Sequence, residues 1–351
     1  MFCFVNKGAR CASRQLPLID PCMSEKFASP EEAGEESTLD AEVTTEMRGQ
    51  RLDQAAALLF PDFSRARLQG WIRDGNLLLN GKPAKGKDRV LGGETLTLVA
   101  EVEDQVQWLA EPLSLEIVHE DEAILVINKP AGLVVHPAAG NRTGTLLNGL
   151  LYHCQALNQV PRAGIVHRLD KDTSGLMVVA KTLESHLDLV EQLRKKTVSR
   201  IYQAVVYGVL TAGGTVDEPL GRHPVHRTRR AVSHSADARE AVTHYRILKK
   251  FRSHTLVQCE LETGRTHQIR VHMAYIGYPL VGDPLYSGRP RIPKGAAPAL
   301  ISGIEHFKRQ ALHAWQLGLV HPVTGEAMAW QADLPDDMQA LLALMEQDNA
   351  V

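Results

Sequence analysis

The sequence predicts an α+β protein in two folded parts, a small helix-and-hairpin module near the N-terminus and a larger strand-rich part behind it. Three observations carry this. Short helical patterns between residues 52 and 72 lead directly into a hairpin signal at Asn80-Gly81. After residue 113 the apolar runs are strand-like and do not alternate regularly with helical segments. With 351 residues the chain is long enough to bury a sizeable core in more than one domain.

Residues 1–47 hold nine acidic and four basic side chains. Glu31, Glu32, Glu35, Glu36, Asp40, Glu42 and Glu46 follow one another without a basic partner and with little apolar content, which predicts a disordered tail over 1–47. Met23-Ser24-Glu25-Lys26 reads as an alternative start, so residues 1–22 are expected to be an upstream extension. The formal charge of the whole chain is −2, but the tail hides a basic remainder of 35 cationic and 32 acidic side chains. No apolar run reaches membrane-spanning length and the N-terminus lacks a secretory apolar core, so a cytoplasmic location is expected.

Residues 48–100 read as a compact module. Leu52, Ala55, Ala56 and Leu59 mark one short amphipathic helix, and Ser64 is placed to cap a second that carries Leu68, Trp71 and Ile72. A strand over 77–79 meets Asn80-Gly81, and Gly92-Gly93 precedes a return strand over 96–99. Nine basic residues outnumber five acids here; Arg51, Arg65, Arg67, Lys82, Lys85 and Arg89 are the candidates for phosphate contacts, which give affinity and register with little sequence information. The acidic, aperiodic stretch 101–112 is expected to be a linker.

Strand-like runs at 115–118 and 124–127 flank a polar turn, His119-Glu120-Asp121-Glu122. The following Pro/Gly loop, 128–137, brings Asn128 and Lys129 to an expected cleft. Residues 167–176 read HRLDKDTSGL, just before the apolar strand 176–180, so Asp170 should stand accessible at the strand's mouth. An aspartate's ordinary pKa of ~3.9 leaves it ionised at neutral pH, a nucleophile that needs no activating base. Alternation after Tyr202 predicts a strand that presents its phenol to the same site. Ile269, Met273 and Ile276 predict a short helix from about Thr266, with Arg265 on the turn entering it and Gly277 as its stop. Arg222, Arg227, Arg229 and Arg230 fall within nine residues of an expected mobile loop, suited to gripping phosphate.

Competing chemistries are disfavoured by spacing. His267 and His272 are five residues apart, on different faces of a helix, and read as structural histidines rather than metal ligands. Five cysteines, Cys3, Cys11, Cys22, Cys154 and Cys259, form no CxxC pair and, being odd in number, no disulfide framework, which points to a reducing compartment. A serine hydrolase using Ser174 with His167 or His136 lacks the first glycine of a G-x-S-x-G elbow. There is no Gly-rich phosphate loop and no internal repeat.

The 167–176 run, the Tyr202 segment, the 128–137 loop and the stretch 261–286 together resemble the RluA-type RNA pseudouridine synthases, and the helix pair with basic hairpin resembles an S4 RNA-binding domain. The resemblance covers residues 48–340 and leaves 341–351 as a C-terminal tail. It implies a catalytic domain over 113–340 with a mixed, largely antiparallel sheet and flanking helices. It implies Asp170 as the catalytic residue, Tyr202 against the target base and Arg265 paired with Asp170. Arg168 would fill the gap left by an extruded nucleotide, with His167, Asn128, Lys129, Arg227, Arg229 and Arg230 on the substrate side. Two departures stand out: Arg200 in place of the usual lysine two residues before the tyrosine, and Tyr286-Ser287 in place of tyrosine-glycine. The implied partner is ribosomal RNA, the large-subunit (23S) molecule at the stem-loop called helix 69, or another ribosomal or transfer RNA site. A non-catalytic RNA-binding role in ribosome assembly is the other class. The isomerisation adds no atoms and no electrons, so no cofactor or metal is expected, and nothing in the sequence suggests an obligate protein partner.

Overall fold

A computed structural model describes residues 37–60, 65–100, 108–137, 141–226 and 228–349 of the protein, which divides into a unit ending at Gln107 and a unit from Trp108 onward. The Ser64 cap, Arg227, residues 1–36 and the first part of the expected linker, 101–107, lie outside the described residues.

The first unit contains β1 (Ser37–Glu42), α1 (Leu52–Leu59), α2 (Arg65–Asp74), β2 (Leu77–Leu79), β3 (Lys82–Pro83) and β4 (Thr95–Ala100) in a sheet of order β1-β4-β2-β3. Its core joins the apolar stripe of the helix pair, Leu52, Ala55, Ala56, Leu68, Trp71 and Ile72, to Leu77, Leu96 and Leu98 of the sheet. Asn80 and Gly81 both take positive φ, 50° and 72°, as the two-residue hairpin between β2 and β3 requires. The expected tail is corrected here: residues 37–42 pair in register with β4, from Ser37 opposite Ala100 to Glu42 opposite Thr95. Backbone ladder bonds hold this edge strand, whose side chains from Thr38 to Asp40 stay exposed, so composition gave no sign of it.

The second unit adds β5 (Ile117–Glu120), β6 (Ile124–Lys129), α3 (Leu146–His153), β7 (Ser174–Ala180), α4 (Leu183–Arg194), β8 (Ser199–Tyr207), β9 (Gly214–Asp217), β10 (Leu220–Arg222), β11 (Arg230–Val232), β12 (Val242–Lys250), β13 (His254–Leu261), α5 (Gln268–Tyr275), α6 (Pro298–His306), β14 (Leu312–Val320), β15 (Ala327–Gln331) and α7 (Asp336–Asn349). Nine strands form one sheet of order β5-β6-β7-β14-β8-β13-β12-β9, with β15 on the free side of part of β14; β10 and β11 pair separately. Within that sheet only β7 and β14 run parallel, so it is mixed and largely antiparallel. Alternate residues of each central strand enter different cores. Met177 and Val179 join α3 and α5 on one face, whereas Leu176, Val178 and Ala180 pack with Leu189 of α4 on the other. A strand buried on both faces explains the unbroken apolar run.

The β7–β14 junction demands a glycine. Gly175 has φ +115°, and a Cβ there would stand 2.3 Å from the carbonyl oxygen of Ala314. Its absence lets the two parallel strands meet one residue after the polar loop that carries Asp170. Two boundaries move. Residues 108–112 belong to the second unit, since Asn148 Nδ2 donates to Leu109 O and Glu111 Oε2 accepts from Gly144 N. The expected C-terminal tail is the last part of α7, where Leu341 and Met345 are buried against Leu300 and Ile304 of α6. Among the described residues no helix is long and apolar enough to cross a membrane.

Candidate active site

Asp170 sits on a loop held from several directions. Its carbonyl accepts from Thr173 N at 3.1 Å, closing a turn. Thr173 Oγ1 accepts from Gln310 Nε2 at 2.9 Å, and the buried Ser174 hydroxyl meets His313 Nδ1 at 2.9 Å. From the other side, Lys171 O accepts from Gly132 N and from Lys129 Nζ at 2.9 Å. Lys129 is 1% exposed, and its ammonium also donates to Pro130 O and Leu133 O. All three of its protons are used within the protein. Lys129 is therefore corrected from a substrate contact to an internal peg that fixes the loop of Asp170. Asn128 likewise does not line the cleft: its side chain donates to Glu116 Oε1.

The carboxylate of Asp170 is oriented by Arg270. Arg270 Nη1 donates to Asp170 Oδ2 at 2.9 Å, while its Nε and Nη2 grip Asp283 as a fork, at 2.7 and 2.9 Å. Asp283 is fully buried and its Oδ1 also accepts the backbone N–H groups of Leu285 and Tyr286. Burial works against charge on Arg270, but the bonds and charges of Asp283 and Asp170 outweigh it and raise the guanidinium pKa. This corrects the expected pairing of Arg265 with Asp170. Arg265 is exposed, and its Nε donates to Glu240 O. The helix begins at Gln268, two residues later than the periodicity suggested, so the arginine turned toward Asp170 lies on its first turn rather than before it.

The turn between Thr263 and Gln268 is stapled by the Gln268 side chain, which accepts from Arg265 N and Thr263 Oγ1 and donates to Val242 O and Thr243 Oγ1. His267 is thereby held in the left-handed region, φ +59°. Its Nδ1 lies 2.9 Å from the Tyr286 hydroxyl and its Nε2 3.9 Å from Asp170 Oδ1. Of the two histidines read as structural, His272 fits that reading, with Nδ1 on Thr243 Oγ1 and Nε2 on Glu218 O; His267 faces the Asp170 carboxylate.

A cavity of about 870 Å³ opens over this arrangement, lined among others by Asp170, Tyr202, Arg168, His167, Arg265 and Arg270. Tyr202 reaches it from β8, where Leu169 and Leu261 belong to the same apolar core, and burial is the main cause that raises its phenol pKa. Arg168 is exposed at the cavity and its guanidinium makes no hydrogen bond to a described residue. His167 lines it too, but its Nε2 accepts from Val178 N, tying the ring to β7; burial, then Arg200, lowers its pKa to about 3, so it is a neutral acceptor. Beneath Tyr202, Arg200 is 7% exposed and donates through Nη2 to Leu261 O and Glu262 O.

Arg229 and Arg230 stand apart from the cavity lining, at the β10–β11 hairpin, although the Arg230 backbone N–H donates to the Tyr286 hydroxyl. In the first unit, Lys82 and Lys85 are exposed, Arg51 pairs with Asp53 at 2.9 Å and Arg89 donates to Gly49 O; the backbones of Arg65 and Arg67 begin α2. Sequence reading missed Arg270, Asp283, His267 and the site role of Tyr286. The available signal was the aspartate of the Gly282-Asp283-Pro284 turn, which, once buried, needs a cation.

A carboxylate held by a buried ion-pair chain, with an aromatic and basic side chains lining the same cavity, fits an enzyme that acts on RNA. The chain belongs to the RluA-type family of RNA pseudouridine synthases and carries an S4 domain: the RNA pseudouridylate synthase family matches residues 123–275 and the S4 domain residues 50–96. It is 60% identical over 308 residues to the Ribosomal large subunit pseudouridine synthase D of Pseudomonas aeruginosa, covering 88% of this chain and 96% of that protein. The protein of the same name from Escherichia coli K12 is 55% identical over 311 residues, 88% of this chain and 95% of its own length. Among solved structures, Human RNA Pseudouridylate Synthase Domain Containing 4 matches with a TM-score of 0.50 and 28% identity over 66% of this chain and 93% of its own.

Proposed function

We propose that this enzyme isomerises uridines of large-subunit ribosomal RNA, in the helix 69 stem-loop, with Asp170 as the nucleophile. The names of the relatives support the ribosomal substrate, and the resemblance of the motifs supports the stem-loop. The observation that carries the nucleophile is the Asp170–Arg270 bond: Arg270 occupies Oδ2, while Oδ1 makes no hydrogen bond to a described residue, in a cavity also lined by Tyr202 and Arg168.

The chemistry follows. The N1–C1′ bond breaks, the uracil turns, C5 joins C1′, the C5 proton leaves and N1 gains one, so no atom or electron is added. The target nucleotide must leave its stack at a cost of a few kcal/mol, and Arg168 is free to occupy the gap. Ribose C1′ and uracil C6 are the two electrophilic atoms open to Asp170. Attack at C1′ parallels carboxylate-assisted glycoside cleavage. Tyr202, kept protonated by burial, stacks on the base. Exposed Lys82 and Lys85 of the S4 unit add phosphate contacts that do not read sequence.

The test is carbodiimide mapping of pseudouridine on large-subunit RNA from cells lacking this protein, rescued by wild type or Asp170→Asn. Signal in helix 69 restored by wild type alone establishes both target and nucleophile. Loss at another site keeps the chemistry and moves the substrate; rescue by Asp170→Asn sinks the nucleophile assignment; and no loss anywhere favours a binding role in ribosome assembly.

A further inference from the structure

A three-member chain of hydrogen bonds ends at His267, beside Asp170. The backbone N–H of Arg230, at the start of β11, donates to the Tyr286 hydroxyl at 2.9 Å. That hydroxyl lies 2.9 Å from His267 Nδ1. Its own proton needs an acceptor, and among the described residues Nδ1 is the one within reach. With Nδ1 as that acceptor, Arg230 gives to Tyr286, Tyr286 gives to Nδ1, and the imidazole proton sits on Nε2. Nε2 is the atom that faces Asp170 Oδ1, at 3.9 Å. Burial is the largest influence on His267 and lowers its pKa, so the ring stays neutral and the tautomer has meaning.

The surroundings hold this geometry. The Tyr286 ring lies 5.2 Å from the Arg270 guanidinium and meets the His267 ring edge-on at 76°. His267 occupies left-handed backbone that a non-glycine residue rarely adopts, held there by the Gln268 staple.

The geometry points to His267 as a positioning residue whose Nε2–H is set by Tyr286 and the Arg230 backbone to face Oδ1 of Asp170, the oxygen that Arg270 leaves for the substrate. The two oxygens of one carboxylate thus receive different treatment. Oδ2 is tied at hydrogen-bond distance, whereas Oδ1 meets a neutral donor beyond bonding distance, which orients it without competing for its lone pairs. The same chain ties the basic hairpin β10–β11 by hydrogen bonds to His267, the residue beside Asp170.

This rests on Asp170 being the reacting carboxylate, and the test separates the two. Ring-¹⁵N NMR of the full-length wild-type protein, with His267 identified by its loss in His267→Asn, should show the Nε2–H tautomer at neutral pH. Tyr286→Phe should change that tautomer balance. His267→Asn is the suitable variant because asparagine tolerates left-handed backbone and places its amide near the Nδ1 position. In single-turnover isomerisation of an RNA that the wild type modifies, His267→Asn and Tyr286→Phe should each slow the step by roughly tenfold, the worth of one lost polar contact, with RNA affinity unchanged within about twofold. The double variant should be little slower than either single one. A wild-type Nδ1–H tautomer, unchanged rates in both variants, or a loss confined to affinity would each overturn the proposal. Turnover by Asp170→Asn would instead sink the nucleophile while leaving the tautomer readable by NMR.

Discussion

Arg270 binds Asp170 through one nitrogen while two others clasp Asp283, so the Asp170 carboxylate is oriented by a cation that is itself held by a fully buried acid. Removing the cation strands Asp283 without a counter-charge. Arg270→Met should cost about 3–5 kcal/mol of stability, the penalty for breaking a buried pair from one side, and abolish turnover. Arg270→Lys keeps the charge but not the fork, and should unfold later than the methionine variant while still losing most activity. Denaturant unfolding and single-turnover rates measure both. Arg265→Ala, by contrast, should leave the unfolding midpoint near wild type and act on RNA affinity, because that side chain is exposed and donates, among the described residues, to Glu240 O.

Arg168 offers a sharper distinction. It is exposed at the cavity and makes no hydrogen bond to a described residue, as suits a wedge for the vacated stack. Arg168→Ala should slow a target uridine in a stable stem far more than the same uridine in a floppy single strand. Equal losses on both RNAs, compared by single-turnover assay, would argue against the wedge.

Lys129 makes stability depend on pH. Burial, opposed by the charges of Asp172 and Asp170, lowers its pKa from 10.5 to about 8. Between those values the unfolded chain binds more protons than the folded one, so the contribution of this residue to stability rises with pH across about 8 to 10.5. The stability of wild type relative to Lys129→Met should therefore increase on going from pH 8 to pH 10, read from urea midpoints of both proteins, in which other titrations cancel. The methionine variant should also lose activity, since the carbonyls of Pro130, Leu133 and Lys171 lose their common donor.

Gly175→Ala tests the strand junction next to the Asp170 loop. A methyl group at φ +115° would press on the backbone of Ala314. The strands must part, and the expected cost is roughly 3 kcal/mol or more, with catalysis lost even in protein that remains folded. A thermal melt and a turnover assay check the two effects separately; an alanine variant with wild-type stability would contradict the geometry.

The residues legible in the sequence were those whose role lies in a short local pattern. Asp170 stands out in a ten-residue run before an apolar strand, Tyr202 in an alternating strand, and Asn80-Gly81 in a turn that only positive φ satisfies. Periodicity also found α5 and its stop at Gly277. What periodicity lacks is the rotation of a helix against its neighbours. Whether Arg265 or Arg270 meets a carboxylate a hundred residues away depends on where α5 docks, and a shift of its start by two residues decides it.

Lys129 and β1 show the same limit from two directions. A lysine in a Pro/Gly loop beside a cleft reads as a ligand, and it becomes a peg only because the Asp170 loop folds over it and supplies a distant carbonyl at Lys171. The stretch 37–42 reads as disorder because it is acidic and its side chains from Thr38 to Asp40 stay exposed, while the bonds that order it run through the backbone to β4, some sixty residues on. By itself the sequence determined which atoms can do the chemistry: a carboxylate, a phenol and a set of cations, placed on strands and loops by local pattern. The tertiary structure alone decided which cation serves the carboxylate, which is buried to hold the loop, and which histidine faces the free oxygen, since those are contacts between segments whose separation along the chain carries no pattern.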